Sequence, residues 1–358
     1  MSTESIEPTI HYLADAAPDP GEAIEIAPGI LWLRMPLPFA LNHVNVWAID
    51  DIVDGRAGWT LIDTGIGFDA TREAWLHAFD GALGGRPIVR LICTHMHPDH
   101  VGLAGWICER FGCELTMTQA EYLLMRLSAS DEPGVTLEQL RDFYIANGVS
   151  VEAATIVSGR TDYYRSAVRN PPATFNRLIG DQLVPIGGHE WRVMLGYGHS
   201  VEHAALFCAD RNLLISGDML LPRISTNVSV HPLEPRGDPL GDFLASIAEF
   251  RALPADVTVL PSHGLPFGRD AARGAHARVD QLEAHHTARL AEVDALSAQE
   301  VDGISAADVI PVMWKRELDM HQMGFAAGEA LAHLHWLWRR GKLDRYVDDA
   351  GVFRFRRV

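Results

Sequence analysis

Cysteine is scarce in this chain: there are four, Cys93, Cys108, Cys113 and Cys208, with no C-x-x-C pair among them. Without a dense framework, the expectation is buried thiols in a reducing compartment rather than disulfides, and Cys93, inside an apolar run, reads as core. Positive charge is also in deficit. The 30 Lys and Arg side chains oppose 47 Asp and Glu, a formal net charge of −17. Such a field repels polyanions, which argues against general affinity for nucleic acid or an anionic membrane while leaving room for local basic patches. Missing too is any uninterrupted apolar run of about 20 residues, so no membrane span is expected. Residues 1–20 are acidic and polar, with no cationic start ahead of an apolar stretch. No signal peptide is expected, and the expected location is cytoplasmic.

What the chain does have is histidine in a concentrated form. His95-Met96-His97-Pro98-Asp99-His100 follows the strand-like run Ile88-Val89-Arg90-Leu91-Ile92-Cys93. Its imidazoles and carboxylate supply nitrogen and oxygen donors that suit zinc or another borderline first-row metal. On a strand, His95 and His97 would project to one side, and the Pro98 turn would let Asp99 and His100 aim elsewhere. The competing reading of the hexapeptide alone is a solvated, histidine-rich loop.

At 358 residues the chain exceeds the usual single-core size, and its 47% hydrophobic content can bury a sizeable core. Between Ala23 and Thr64 the pattern is a meander of short strands: 24–26, 30–35, 44–49 and 60–62. Helical spacing covers 71–79, and β/α alternation follows the hexapeptide, with helices at 102–111 and 120–127 around a strand at 114–118. Residues 128–170 look inserted, with helices expected at 137–147 and 151–168 and with Phe143, Tyr144, Tyr163 and Tyr164 as packing residues or a lid. Hairpins are expected at 182–195 and 204–216. A helix at 243–253 then precedes a strand at 257–260. Three further polar sites each follow a short apolar strand: Gly198-His199-Ser200, Gly217-Asp218 and Ser262-His263-Gly264. Strand ends gathered on one edge would carry the chemistry while the sheets hold them still. Past Asp270, helices at 275–296, 304–313 and 325–340 and a terminal hairpin suggest a small appended domain similar to a winged helix.

The hexapeptide, His199, Asp218 and His263, in that order, resemble the metallo-β-lactamase superfamily of hydrolases. The resemblance implies an α+β fold, an αββα sandwich over residues 1–270, with the winged-helix-like domain at 271–358 similar to that of the LACTB-like branch. It also implies a dinuclear centre. His95, His97 and His199 would hold one divalent metal ion, Asp99, His100 and His263 a second, and Asp218 would bridge them. Asp63, in an Asp-Thr-Gly turn, would support the site without ligating. Asp99 and Asp218 would be the catalytic carboxylates. Zinc is the default metal for such donors, with iron or manganese as alternatives. Paired cations would lower the pKa of a bridging water, making a hydroxide nucleophile without help from serine or cysteine.

Departures from subgroup patterns narrow the substrate. Asp218 stands where the main zinc β-lactamases have Cys, His97 where flavodiiron proteins have Glu, and Leu221 where many quorum-signal lactonases have Tyr. The expectation is a hydrolase of carboxylic esters or thioesters, a small-molecule enzyme. The alternatives are a single-strand endoribonuclease or phosphodiesterase, a mononuclear-iron persulfide dioxygenase, a lactonase, or a non-enzymatic binding module. Arg339, Arg340, Lys342, Arg345, Arg354, Arg356 and Arg357 could grip RNA or form a solvated face or an interface. The apolar helix with Phe325, Leu331, Leu334, Trp336, Leu337 and Trp338 could be core or the contact of a homodimer. His189, His203 and His231 fit no ligand position, and His285, His286, His333 and His335 read as surface or packing residues.

Overall fold

The computed structural model describes residues 9–132, 134–159 and 161–358. The chain opens with β1 (Ala23–Ala27), β2 (Ile30–Pro36), β3 (His43–Val53) and β4 (Arg56–Ile62), then α1 (Asp69–Asp80) and β5 (Ile88–Ile92). After β5 come α2 (Pro98–Val101), α3 (Ala104–Phe111), β6 (Leu115–Thr118) and α4 (Gln119–Ser128). The inserted stretch holds α5 (Leu137–Ala146), α6 (Val151–Ser158) and α7 (Thr161–Ala167). The next strands are β7 (Asn176–Leu178), β8 (Leu183–Ile186), β9 (His189–Gly196), β10 (His203–Cys208) and β11 (Leu213–Gly217). Helix α8 (Pro239–Ala248), β12 (Thr258–Pro261), α9 (Ala275–Ser297), α10 (Ala306–Met313), α11 (Met320–Arg339), β13 (Leu343–Val347) and β14 (Phe353–Arg357) complete the chain.

Strands β1 to β7 form one sheet in sequence order, antiparallel up to β4 and parallel beyond it. The second sheet runs β12-β11-β10-β9-β8, with only the β11–β12 pair parallel. Between the sheets lie Trp32, Trp47, Ile62, Ile92, Trp191, Leu206 and Ile215, all at most 1% exposed. Burying such side chains contributes roughly 1.5–3 kcal/mol each. Trp32 and Trp47 are register partners whose rings stack 6.2 Å apart. The outer face of the first sheet packs on α1 and α3 through Trp75, Phe79, Ala104 and Ile107. The outer face of the second packs on α8, α9 and α11 through Phe207, Phe243, Val279 and Leu331. This is the expected αββα sandwich. Among the described residues, no helix is long and apolar enough to cross a membrane.

The C-terminal helices share that second cluster. Leu331, Leu334 and Leu337 of α11 are core residues of this chain, while Phe325 stays 49% exposed. Beyond α11, β13 and β14 form a hairpin to which Ile304 adds a bridge at Phe355.

One local expectation needs correction, and the structure adds two features to the rest. The run expected as one helix over 151–168 is two, because α6 ends at Gly159. Strand β7 is only three residues long, too short for an alternation to register, and it had no counterpart in the sequence reading. The insertion's aromatics also divide: Phe143 and Tyr144 pack on the C-terminal cluster, whereas Tyr163 and Tyr164 pack beside the hexapeptide.

Candidate metal centre

Parallel pairing places the C-terminal ends of β4 and β5 on one edge of the first sheet, and those of β11 and β12 on one edge of the second. Asn45 stitches the two edges together, its amide donating to Pro261 O and Gly264 O at 2.8 Å each. His95, Met96 and His97 lie in bends past the end of β5 rather than on the strand, so strand alternation is not what aligns His95 with His97. The Thr94 N–H is pinned to Asp63 Oδ1 at 2.7 Å, and the loop beyond it brings His95 Nε2 within 2.9 Å of His97 Nδ1. Pro98 then opens α2 at a position where no backbone N–H is needed.

His199, beyond the end of β9, completes a triangle. Its Nε2 is 3.1 Å from His97 Nδ1 and 3.1 Å from His95 Nε2. Burial, reinforced by the neighbouring imidazoles, holds His95 well below its ordinary pKa and His97 down to about 3. The His95 and His97 nitrogens are therefore neutral, with lone pairs to share. A second group adjoins them. His263 Nε2 is 3.4 Å from Asp99 Oδ2 and 3.4 Å from Asp218 Oδ1, and His100 Nε2 is 3.6 and 3.7 Å from the same two oxygens. Asp218 reaches both groups, because its Oδ2 stands 3.3 Å from His199 Nε2.

Electrostatics separate the two groups. Burial alone would lower His100, but Asp99, Asp63 and Asp218 carry it up to about 9. Against the same burial, Asp218 and then Asp99 raise His263 well above its usual value. Burial would also raise the carboxyls, yet His263 and His100 hold Asp218 well below the carboxylate range, and the same two imidazoles hold Asp99 low. The pocket thus demands positive charge.

The donor set fits divalent cations. His100 Nε2 and Asp218 Oδ1 are buried without a hydrogen-bond partner, a state that native proteins rarely leave uncompensated. Ligands at bonds of about 2.0–2.2 Å around a tetrahedral ion stand roughly 3.3 Å apart, close to the separations above. The far nitrogens of four imidazoles are already oriented. His95 Nδ1 meets Thr94 Oγ1 at 3.0 Å, His100 Nδ1 meets Asp63 Oδ2 at 2.8 Å, and His199 Nδ1 and His263 Nδ1 meet Asn227 O and His43 O, each at 2.8 Å. Such contacts fix which nitrogen is free to coordinate. Three sets, His95/His97/His199, His95/His100/Asp218 and Asp99/His100/His263, each place one donor atom per residue within 4.8 Å of the others.

Two supporting residues escaped the sequence reading. His203, set aside there, is fully buried under the site, and its Nε2 accepts the Asp218 N–H at 3.1 Å. Gly217 makes room for it: at φ 53°, a Cβ there would sit 2.2 Å from His203 Nε2. Glu121 on α4, also fully buried, accepts the Met96 N–H at 2.8 Å and the Glu202 N–H at 2.7 Å, clamping both histidine loops. The one signal was a lone polar residue in an apolar setting: His203 heading the buried strand β10, and Glu121 beside Tyr122 and Met125 on the buried side of α4. His189, at the opposite end of β9 from His199, lies 3.8 Å from Asp210 and takes no part.

Comparison with known proteins agrees with this geometry. A family model described as the metallo-beta-lactamase superfamily matches residues 41–263, and one described as the metallo-beta-lactamase-like C-terminal domain matches residues 290–358. The chain is 26% identical over 247 residues to the probable metallo-hydrolase YqjP of Bacillus subtilis (strain 168), spanning 66% of this chain and 72% of that one. Among solved structures, it is 45% identical to a beta-lactamase domain protein from Burkholderia ambifaria, with a TM-score of 0.90 and 98% of each chain covered. It is 28% identical to a metallo-beta-lactamase family protein from Thermus thermophilus, with a TM-score of 0.73, 93% of this chain and 100% of that one covered. A sandwich whose strand ends converge on histidines and aspartates, matched by these two solved structures over nearly its whole length, belongs to the metallo-beta-lactamase superfamily of metallo-hydrolases.

Proposed function

We propose that this protein is a dinuclear metal-dependent hydrolase of carboxylic esters or thioesters, with zinc as the default metal. The observation that carries the reading is Asp218, whose two oxygens face different histidine groups, Oδ2 towards His199 and Oδ1 towards His263 and His100. A carboxylate so placed suits a bridge. His95, His97 and His199 would hold one cation, and Asp99, His100 and His263 the other. Cations bound there supply Lewis acidity, polarising an acyl oxygen and acidifying water towards neutral pH. Asp99 is the more exposed carboxylate, 22% against 9% for Asp218, so it meets the substrate side. There it is placed to accept a hydrogen bond from the attacking water and orient it.

Residues of the insertion support an acyl pocket. The Tyr163 ring packs edge-on against Phe39 and Phe68 at 6.0 and 6.1 Å, and the Tyr164 hydroxyl donates to Met96 O at 2.7 Å. An apolar wall beside the hexapeptide suits an acyl chain better than a phosphodiester. The tail's arginines point the same way, since several are matched by carboxylates of this chain: Arg340 by Asp238 at 2.6 Å, Arg354 by Asp348 at 2.8 Å, Arg357 by Asp294 at 3.2 Å and Arg356 by Asp344 at 3.4 Å. Turnover of acyl thioesters, aryl esters and lactones with and without a chelator tests the proposal. Chelator-sensitive hydrolysis of esters or thioesters is expected, and no turnover on any of the panel contradicts it.

A further inference from the structure

A second group of metal-binding side chains lies between α9 and α11, away from the sheet edge. A ring nitrogen of His285, a ring nitrogen of His286 and a carboxylate oxygen of Glu329 come within 4.8 Å of one another. Hydrogen bonding around them assigns the tautomers. His333 Nδ1 donates to Glu329 O at 2.8 Å, which leaves His333 Nε2 as an acceptor. His286 Nδ1 is 3.3 Å from that nitrogen and donates to it, so the lone pair of His286 lies on Nε2. This Nε2 is buried, has no partner, and belongs to a residue with 0% exposure. A backed imidazole with a free, desolvated lone pair is how metal-ligating histidines are presented. Burial also lowers His286 to about 3 and raises Glu329 to about 7. The nearby guanidinium of Arg289, which favours the Glu329 carboxylate, is itself engaged by Glu292 at 2.7 Å.

We propose that His285, His286 and Glu329 form an additional cation site, suited to zinc or another borderline first-row ion, with His333 positioning His286. Two nitrogens and a carboxylate are donors of that class, and three protein ligands leave one position for water. Tetrahedral ligands at bonds of about 2.0–2.1 Å stand roughly 3.3 Å apart, so binding draws the side chains inward by rotation. The role is structural. The ion ties α9 to α11, and Gly328, next to Glu329, accepts the Val230 N–H at 3.3 Å. Val230 belongs to the same strap as Asn227, whose carbonyl orients His199.

Two measurements on the full-length protein decide it. After zinc loading and desalting, zinc per chain is measured for the wild type, His285→Ala and Glu329→Gln, with circular dichroism to establish that each variant is folded. Each variant is expected to lose about one equivalent relative to the wild type while the rest is retained. Zinc-soaked wild-type crystals are expected to show anomalous density between α9 and α11. Folded variants with the wild-type zinc content, or soaked crystals without density between those helices, overturn the proposal. Should a variant fail to fold, the wild-type density decides alone.

Discussion

At Asp63 the backbone takes a φ of 66°, in the left-handed region, and the carboxylate holds Thr94 and His100 at once. All of its partners are donors: the Thr94 N–H, the Thr94 hydroxyl and the His100 Nδ1–H. An amide offers one acceptor oxygen and turns its NH2 towards a donor. Asp63→Asn is therefore expected to weaken metal affinity about 10- to 100-fold, measured by competition with a chelator, by loosening Thr94 and His100. Unchanged affinity would mean that Asp63 serves folding alone. Gly217 makes a different demand, for space. Any side chain there meets both the left-handed backbone and the His203 ring. Gly217→Ala should cost about 1–3 kcal/mol from strain alone, and more from the overlap, in urea unfolding of the metal-free protein. A loss below roughly 0.5 kcal/mol, the range of neutral surface changes, would show that the turn relaxes freely.

Among the elements, α11 carries a pH dependence of its own. His335 is fully buried, its Nδ1 bonded to Gly237 O at 2.8 Å, and burial lowers its pKa to about 4. Below about pH 6.5 the unfolded chain takes up a proton at this histidine that the folded chain refuses, so the unfolded state gains. The stability His335 confers is thus complete above pH 6.5 and is lost as pH falls towards 4, at about 1.4 kcal/mol per pH unit. His335→Gln, which cannot titrate, should flatten the fall in unfolding free energy between pH 6.5 and 4. Identical slopes for the two proteins would contradict this. Elements also show where a sequence can be read and where it cannot. Apolar spacing announced α9 and α11, but the same spacing runs on across Gly159 and hid the break between α6 and α7. A three-residue strand such as β7 offers no period at all.

For the whole molecule, the candidate ligands were legible because each is an unusual residue just past a short apolar run, while the layers followed from the family resemblance those residues carry. Strand ends on one edge then follow from the parallel pairings of β4 with β5 and β11 with β12. What stayed hidden were the supports. Glu121 acts on Met96, 25 residues away, and on Glu202, 81 residues away, and no spacing in one sequence encodes such a meeting. The division of labour among the insertion's aromatics was hidden likewise, since it depends on which of them the C-terminal helices cover. The central claim is that seven side chains from distant parts of the chain share two cations. Anomalous diffraction at the absorption edge of the bound metal tests it most directly. Two peaks are expected at the sheet edge, one among His95, His97 and His199 and one among Asp99, His100 and His263, with Asp218 between them. A single peak there, or none in metal-loaded crystals, would contradict it.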